Sequence, residues 1–295
     1  MGRSQFCPRI TGRVQTYSLR GRKTFLVHEI ACKSILNRSA IPGIDYAVNP
    51  YTGCGHGCVY CYARFMAKYT SHRMPWGTFC DPKINAVEVL EKQIRKTPPG
   101  LVCLSTVTDP YSPVETKYKL TRQLLEVFSR SSFSISILTK SDLILRDLDL
   151  LKKFSHDRIE VGFSINTLDE QVRFAFEPGA PPIQRRLAAL RKLHAEGIRT
   201  WVFIAPMLPI FNEKNVQPFM EKMCAHTDTI LFDRLHIKCG NWASISKALS
   251  RYFPFWLQAW KKILFSPDEA EAYYSWIEDT ILTFGKIKGI LVESA

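Results

Sequence analysis

The sequence predicts an α/β protein whose main part is a partial (β/α)6 TIM-type barrel. Between residues 44 and 240, six short β-rich runs alternate with amphipathic helical stretches, and this alternation is typical of βα units that form a parallel sheet. A closed TIM barrel needs eight such units, so six indicate an open one. The chain has 295 residues, 46% of them hydrophobic, which is enough for a packed core of this size.

The elements follow one another in short, regularly spaced segments. Strands are predicted at residues 44–49, 101–105, 134–138, 159–165, 200–204 and 229–233. Helices are predicted at residues 85–96, 116–130, 145–154, 184–196 and 212–226. The inward-facing side chains of the second helix are predicted to be Leu120, Leu124, Val127 and Phe128. Gly197 is predicted to end the fourth helix, and Asn212 to cap the fifth.

Three segments are predicted along the chain. Residues 1–40 form a basic N-terminal extension, residues 41–240 form the barrel, and residues 241–295 form a helical, aromatic-rich C-terminal segment. The aromatic residues of this last segment include Tyr252, Phe253, Phe255, Trp256 and Trp260. We expect them to pack against the barrel, and base stacking is the alternative.

The composition excludes several classes of protein. No apolar run reaches the roughly 18 residues that cross a bilayer, because the richest run, residues 201–211, contains Pro206 and Pro209. The first residues lack the apolar stretch of a secretory signal. The nine cysteines are too sparse for a disulfide scaffold. We therefore expect a cytoplasmic protein with no membrane partner.

The charge balance favours an anionic partner. Forty Lys and Arg against 27 Asp and Glu give a net charge of +13. Basic residues concentrate in residues 1–33, and Arg64, Lys68 and Arg73 follow a cluster of cysteines. DNA or RNA is the simplest partner for such a surface. A solvated basic surface without a nucleic-acid partner is the alternative.

The cysteine cluster is the strongest chemical signal in the sequence. Cys54, Cys58 and Cys61 have the spacing C-x3-C-x2-C on a glycine-rich loop, which can turn tightly around a compact centre of soft metal ions. A [4Fe–4S] cluster normally takes four cysteines, so three would leave one iron open to a substrate or cofactor. A structural zinc site that adds His56 or Cys80 is the alternative.

These residues resemble a known family. The three-cysteine spacing, with an aromatic residue before the last cysteine, resembles the radical S-adenosylmethionine (SAM) superfamily. The longer segment from Asn49 to Arg64 is similar to its spore photoproduct lyase-like (DNA repair photolyase-like) branch. Further matches to that branch occur in order at Thr108-Asp109-Pro110-Tyr111, Thr139-Lys140, Phe163-Ser164-Ile165 and Glu177-Pro178-Gly179-Ala180-Pro181, with Arg185 or Arg186 after them. The resemblance covers roughly residues 33–240.

The resemblance implies a specific chemistry. Cys54, Cys58 and Cys61 would hold a [4Fe–4S] cluster, and SAM would chelate the open iron. The reduced cluster would cleave SAM to a 5′-deoxyadenosyl radical that abstracts hydrogen from a substrate. An electron donor such as flavodoxin or ferredoxin would supply the electron. The protein's task would be to bind and orient the reactants and to exclude water.

The resemblance also implies which residues contact SAM. Thr108 and Asp109 would face its methionine or ribose part. Lys140 would pair with its carboxylate, and Ser164 would hydrogen-bond the same end or the ribose. Tyr60 would meet the adenine through its backbone.

The order of strands and loops agrees with such a site. The cysteine loop, Asp109, Lys140, Ser164 and the Pro206 region each follow a predicted strand. In a parallel barrel, the segments that follow the strands meet at the C-terminal rim, where active sites form. Residue pairs further along, such as Glu177 with Arg186, are expected to form a structural ion pair beneath the site.

One position departs from the family. Spore photoproduct lyases carry a hydrogen-donating cysteine two residues before the position of Thr108, and this chain has Thr106 there. Because a hydroxyl O–H bond is too strong to donate hydrogen readily to a carbon radical, the same lesion chemistry is not expected. Cys103 would point to the opposite face of an extended strand. Tyr60 and Tyr62 match the family's tyrosine relay, with loop packing as the alternative.

Three functions are compatible with the sequence. The first is a radical SAM enzyme that acts on nucleic acid, which is favoured by the charge and by the family branch. The second is a radical SAM enzyme that acts on a peptide, a protein or a small metabolite. The third is a metal-stabilised nucleic-acid-binding protein without catalysis.

Overall fold

The computed structural model describes residues 10–19, 22–70 and 74–295. Residues 1–9, 20 and 21 of the basic extension, and Arg73, lie outside the described residues. Two compact units divide the chain: residues 1–57 with 63–161, and residues 58–62 with 162–295. The chain therefore passes from the first unit to the second within the cysteine loop and returns after Tyr62.

The first unit begins with antiparallel strands and continues with parallel ones. Its strands are β1 (Ile10–Leu19), β2 (Arg22–Ile30), β3 (Leu36–Arg38), β4 (Tyr46–Val48), β5 (Tyr51–Gly53), β6 (Cys80–Pro82), β7 (Leu101–Leu104) and β8 (Ser134–Thr139). Strands β1 and β2 form an antiparallel pair, as do β5 and β6. Antiparallel β3 precedes β4, and β4, β7 and β8 lie side by side in parallel.

The helices of the first unit are short. They are α1 (Ala86–Ile94), α2 (Glu115–Tyr118), α3 (Leu120–Ser129) and α4 (Leu148–Leu151). All four side chains predicted to face inward are buried in α3, which confirms the predicted apolar face. The single helix predicted over residues 116–130 is wrong, because Lys119 adopts a left-handed backbone with φ 52° and separates α2 from α3.

The strand β9 (Ile159–Ser164) leads into the second unit. The other strands of this unit are β10 (Arg199–Met207), β11 (Thr229–Arg234) and β12 (Leu291–Ser294), and they pair in parallel in that order. Its helices are α5 (Glu170–Phe176), α6 (Ile183–Ala195), α7 (Val216–Cys224), α8 (Asn241–Tyr252), α9 (Leu257–Phe265) and α10 (Pro267–Lys288). Parallel strands alternate with helices in both units, which confirms the predicted α/β class.

All six predicted strands are present, and several details differ. Gly197 has φ +76° just after α6, as predicted for the residue that ends this helix. Asn212 does not cap α7, since its side chain accepts a hydrogen bond from Lys214 N at 2.9 Å and the helix begins at Val216. Pro206 lies inside β10 rather than after it. Helix α5 was not predicted, and neither were six strands: β1, β2, β3, β5, β6 and β12.

The helix predicted over residues 145–154 is shorter in the structure: its first three residues belong to a 3-10 helix, Asp142–Asp147, that leads into α4. Its start is fixed by Ser141, whose side chain accepts a hydrogen bond from Leu143 N at 3.3 Å. The predicted boundaries at residues 40 and 240 stay predictions. Among the described helices, none is long and apolar enough to cross a membrane.

Candidate functional site

The cysteine loop begins where β5 ends. Gly53, the last residue of β5, has φ +87°, and a Cβ at this position would lie 2.5 Å from the carbonyl oxygen of Phe79. Only glycine fits this combination of a left-handed backbone and a close approach. None of the three cysteines that follow is in a disulfide; Cys54 and Cys58 are buried, and Cys61 is half-buried.

The first half of the loop is held by the segment 108–112. Thr108 donates its hydroxyl hydrogen to Gly53 O. Gly55 N donates to Ser112 Oγ at 3.1 Å, and Ser112 is fully buried. The resemblance assigned this segment to SAM contacts, and in the first unit its side chains also fix the backbone that carries Cys54.

Asp109 connects the loop to the end of β8. Its carboxylate lies 3.2 Å from His56 Nδ1 and accepts hydrogen bonds from Thr139 Oγ1 at 2.7 Å and Lys140 N at 2.9 Å. Burial alone would raise the pKa of Asp109, but His56 and the hydrogen-bond donors lower it to about 2. The carboxylate is therefore ionised at neutral pH. The backbone N–H of Tyr111 also donates to Asp109 Oδ1 at 2.9 Å, and this hydrogen bond closes a turn that begins at Asp109.

The second half of the loop is held within the second unit. Val59 N donates to Phe176 O at 2.9 Å. The Tyr60 hydroxyl donates to Glu177 Oε1 and accepts from Asn166 Nδ2 at 3.2 Å. Burial, and then the charge of Glu177, raise the pKa of the Tyr60 phenol well above its usual value. The phenol therefore keeps its proton.

The backbone of Tyr60 has its own partner. Its carbonyl oxygen accepts from Asn241 Nδ2 at 3.0 Å, and Asn241 is fully buried at the start of α8. The resemblance assigns this part of the backbone to the adenine of SAM. Asn241 therefore orients the peptide group that is predicted to meet the cofactor.

Glu177 and Arg186 form the expected ion pair. Arg186 Nη2 lies 2.5 Å from Glu177 Oε2, and both side chains are almost fully buried. Arg186 also donates to Ser164 O at 3.1 Å and to Pro181 O at 3.0 Å. One guanidinium thus joins the end of β9, the turn before α6 and the carboxylate that accepts from Tyr60.

The other residues singled out in the sequence have hydrogen bonds or exposure of their own. Ser164, buried at the end of β9, donates its hydroxyl hydrogen to Ala205 O at 3.3 Å. Tyr62 is 47% exposed. Thr106 Oγ1 accepts from Asn49 Nδ2 at 3.3 Å. Burial raises the pKa of the Cys103 thiol to about 11.

The chemistry of the donor set fits an iron–sulfur cluster. Three cysteines on a tightly turned loop, none of them in a disulfide, are the soft ligands that such a cluster uses. Across residues 10–19, 22–70 and 74–295, no three His, Cys, Asp or Glu side chains are grouped to hold a metal ion. The two residues considered as a fourth zinc ligand have other contacts: His56 with Asp109, and Cys80 with Ser112 Oγ at 3.5 Å.

A pair of glycines tests how closely the loop is packed. Gly53→Ala combines a left-handed backbone with a collision against Phe79 O, whereas Gly43 has φ +75° with nothing within 4 Å of its Cβ position. Urea unfolding should show that Gly43→Ala lowers the free energy of unfolding by about 1–2 kcal/mol. Gly53→Ala should lower it by a further ~1–3 kcal/mol. Equal losses in the two variants would contradict the close packing of β5.

Comparison with known proteins decides the family. The model of the Radical SAM superfamily matches residues 48–223. The chain belongs to the radical SAM superfamily. It is also 35% identical over 268 residues to an uncharacterized protein of Methanocaldococcus jannaschii, a match that covers 90% of this chain and 96% of that protein.

A second relative and a solved structure extend the comparison. The chain is 26% identical over 180 residues to a protein of Pseudomonas phage M6 named radical SAM Nalpha-GlyT isomerase, which covers 60% of this chain and 36% of that protein. The structure of spore photoproduct lyase complexed with dinucleoside spore photoproduct has a TM-score of 0.66 at 17% identity, covering 91% of this chain and 80% of that one. This likeness shows the fold and confirms the partial barrel.

Membership in the superfamily establishes the general chemistry. The protein is a radical SAM enzyme, with SAM and an iron–sulfur cluster as the cofactors that the family implies. The non-catalytic alternative is therefore wrong. The roles of individual residues in binding these cofactors stay predictions.

Sequence reasoning missed the residues that support the loop from elsewhere. Ser112 directly follows the matched segment 108–111, so its position was a usable signal. Asn166 follows the matched segment 163–165 in the same way. Asn241 lies 181 residues from Tyr60, and nothing in the sequence connects the two.

Proposed function

We propose that this protein is a radical SAM enzyme that holds a [4Fe–4S] cluster on Cys54, Cys58 and Cys61 and acts on nucleic acid. The observation that carries the proposal is the cysteine loop itself. None of its three cysteines is in a disulfide, and hydrogen bonds from both ends of the loop hold the backbone that carries them. A supported backbone is one requirement of a functional metal site.

The protein side of the reaction is binding and orientation. When bound, the cluster and SAM supply a carbon-centred radical that abstracts hydrogen from a substrate. Asn241 holds the carbonyl of Tyr60, which is proposed to face the adenine. Asp109, by accepting from Lys140 N, fixes the backbone of Lys140, whose ammonium is proposed to pair with the SAM carboxylate.

Two other proposed SAM contacts lie at fixed positions. The Thr108 hydroxyl donates to Gly53 O, which leaves its oxygen lone pairs as acceptors for the amino group of the methionine part. Ser164 ends β9 with its hydroxyl anchored on Ala205 O, and is proposed to reach the ribose or the methionine end. An external donor such as flavodoxin or ferredoxin is expected to supply the electron.

The proposed substrate class rests on charge and on relatives. The net charge of +13 favours a polyanion. Spore photoproduct lyase, whose fold is similar, was solved with a dinucleoside spore photoproduct. A peptide, protein or small-metabolite substrate remains the second candidate, because the radical chemistry itself does not select nucleic acid.

The reaction is proposed to differ from lesion repair by a cysteine hydrogen donor. The hydroxyl of Thr106 accepts from Asn49, and its O–H bond is too strong for ready hydrogen return. Tyr60 and Tyr62 remain the proposed relay. Of the two, Tyr60 has a buried phenol that donates to Glu177, and Tyr62 is the more exposed.

SAM cleavage with and without substrate tests the proposal. The anaerobically reconstituted full chain is mixed with SAM and a chemical reductant, and 5′-deoxyadenosine is quantified alone and with single-stranded DNA, duplex DNA, RNA or a cell-derived peptide pool. We expect iron near four atoms per chain and cleavage that rises with one of the nucleic acids. A rise with peptides alone would favour the second candidate. A colourless protein with one zinc ion would contradict the cluster.

A further inference from the structure

A small surface pocket lies beside helix α5 in the second unit. It encloses about 280 Å³ and is lined by Glu170, Gln171, Phe174, Tyr252 and Phe253. Two of its aromatic rings are open to solvent: Phe174 is 50% exposed and Tyr252 is 39% exposed. Large aromatic side chains exposed next to one another often mark a binding site.

The two exposed rings, Phe174 and Tyr252, form a corner because they are nearly perpendicular, and the third ring, Phe253, packs against two other aromatic rings. Phe174 and Tyr252 have centroids 5.9 Å apart and planes at 84°. Behind them Phe253 stacks on Trp256 at 4.4 Å and on Phe176 at 6.4 Å. These two contacts hold the Phe253 ring in place. A flat ring placed in the corner would meet one face and one edge, which are the two favourable aromatic geometries.

The charges at the pocket are suited to a phosphate backbone. The Arg251 guanidinium lies 5.2 Å from the centre of the Tyr252 ring and is exposed. The carboxylate of Glu170 is neutralised, since Arg173 Nε donates to it at 2.8 Å and Ile183 N also donates to it. Gln171 adds an exposed amide, which can both donate and accept at the edge of a base.

We propose that this pocket binds one unstacked nucleobase of a single-stranded nucleic acid. The inference rests on the proposed function for the class of substrate. It adds a second site, outside the cysteine loop, at which a nucleic-acid strand binds. Aromatic rings with a nearby arginine are the usual way in which proteins hold unpaired bases without reading their sequence. A pocket of this volume takes one heterocycle rather than a helix or a strand.

The helix that lines the pocket also contacts the cysteine loop. Phe174 and Phe176 both belong to α5, and the carbonyl oxygen of Phe176 accepts from Val59 N inside the loop at 2.9 Å. The same helix therefore carries part of the pocket and supports the backbone of the loop.

Oligonucleotide binding tests the site directly. The full chain is titrated at low salt into a fluorescently labelled single-stranded oligonucleotide, and the dissociation constant is read from anisotropy. The test variant is Phe174→Ala combined with Tyr252→Ala. The matched control is Phe255→Ala, since Phe255 is 96% exposed in the same segment and does not line the pocket. Thermal unfolding by circular dichroism checks that both variants are folded.

We expect the double variant to bind about 5- to 100-fold more weakly than the control, which is the range that loss of base stacking gives. A 5-iodouracil oligonucleotide is expected to photocrosslink to the peptide that contains Tyr252. An oligonucleotide with abasic positions should bind wild type more weakly than the intact one, and the double variant should lose this difference.

Other outcomes separate the two proposals. If wild type binds the oligonucleotide but the double variant binds as well as the control, the base pocket is wrong and the nucleic-acid substrate stands. If wild type does not bind at all, the substrate class and the pocket both fail, while SAM cleavage still tests the enzyme. A dimer in sedimentation that the double variant abolishes would overturn the inference in favour of a second copy as the occupant.

Discussion

Cys58→Ala protein, purified and reconstituted without oxygen, is expected to contain almost no iron–sulfur cluster and to produce no measurable 5′-deoxyadenosine from SAM. The same result is expected for Cys54→Ala and Cys61→Ala. Each cysteine is one of only three proposed thiolate ligands, and a cluster with two protein ligands is not held against loss to solvent. Iron content, the absorption of the cluster and SAM cleavage measure the effect.

Two other cysteines provide controls for the same assay. Cys239 is an exposed free thiol, and Cys103 lies in β7 outside the cysteine loop. Cys239→Ala and Cys103→Ala should both retain the cluster and cleave SAM like wild type. Full cleavage by any of the three loop variants, or loss of the cluster in Cys239→Ala, would refute the assignment of the ligands.

Arg186→Leu is expected to lower the free energy of unfolding by about 3–5 kcal/mol, because it leaves the Glu177 carboxylate buried without its cation. The variant also removes the donors to Ser164 O and Pro181 O. Urea unfolding of the cluster-free full chain, followed by circular dichroism, measures the loss. This readout is independent of any cofactor.

The neighbouring arginine provides the matched control. Arg185 is exposed on the same turn of α6, so Arg185→Leu should change the stability by no more than about 0.5 kcal/mol. Adding Glu177→Gln to Arg186→Leu should recover part of the loss, since the unpaired charge is then gone. If the double variant is as unstable as the sum of the two single variants, the pair is not coupled and the ion pair is not the source of the stability.

The six strands that were predicted are short apolar runs between loops, whereas unpredicted strands such as β3 and β6 are only three residues long and partly polar. The residues of α3 that face inward could be predicted from their helical spacing. Lys119 could not be predicted as a break, because lysine is a good helix former and is not among the residue types that favour a left-handed backbone. The start of α7 was misplaced because asparagine is favoured both as a helix cap and in the turn before a helix.

The candidate site was predictable where its residues are close together in the sequence. The cysteine spacing gave the proposed cluster ligands directly, and the motif around Asp109 marked a segment that contacts the loop. The hydrogen bonds of Asp109 could not be predicted, because tertiary geometry decides whether a carboxylate faces a ligand or the protein. The support of Tyr60 by Asn241 involves one amide far along the chain, and a lone asparagine has no pattern of its own.

The chain passes from one unit to the other within the cysteine loop. This limits how the motif can be inherited. A gene fragment that stopped at Val161 would encode all three cysteines of the motif, yet it would lack Phe176, Glu177 and Asn241, which hold its last third. Recombination that moved only this fragment into another protein would therefore lose the contacts that support the end of the motif. Its inheritance requires both halves of the gene together.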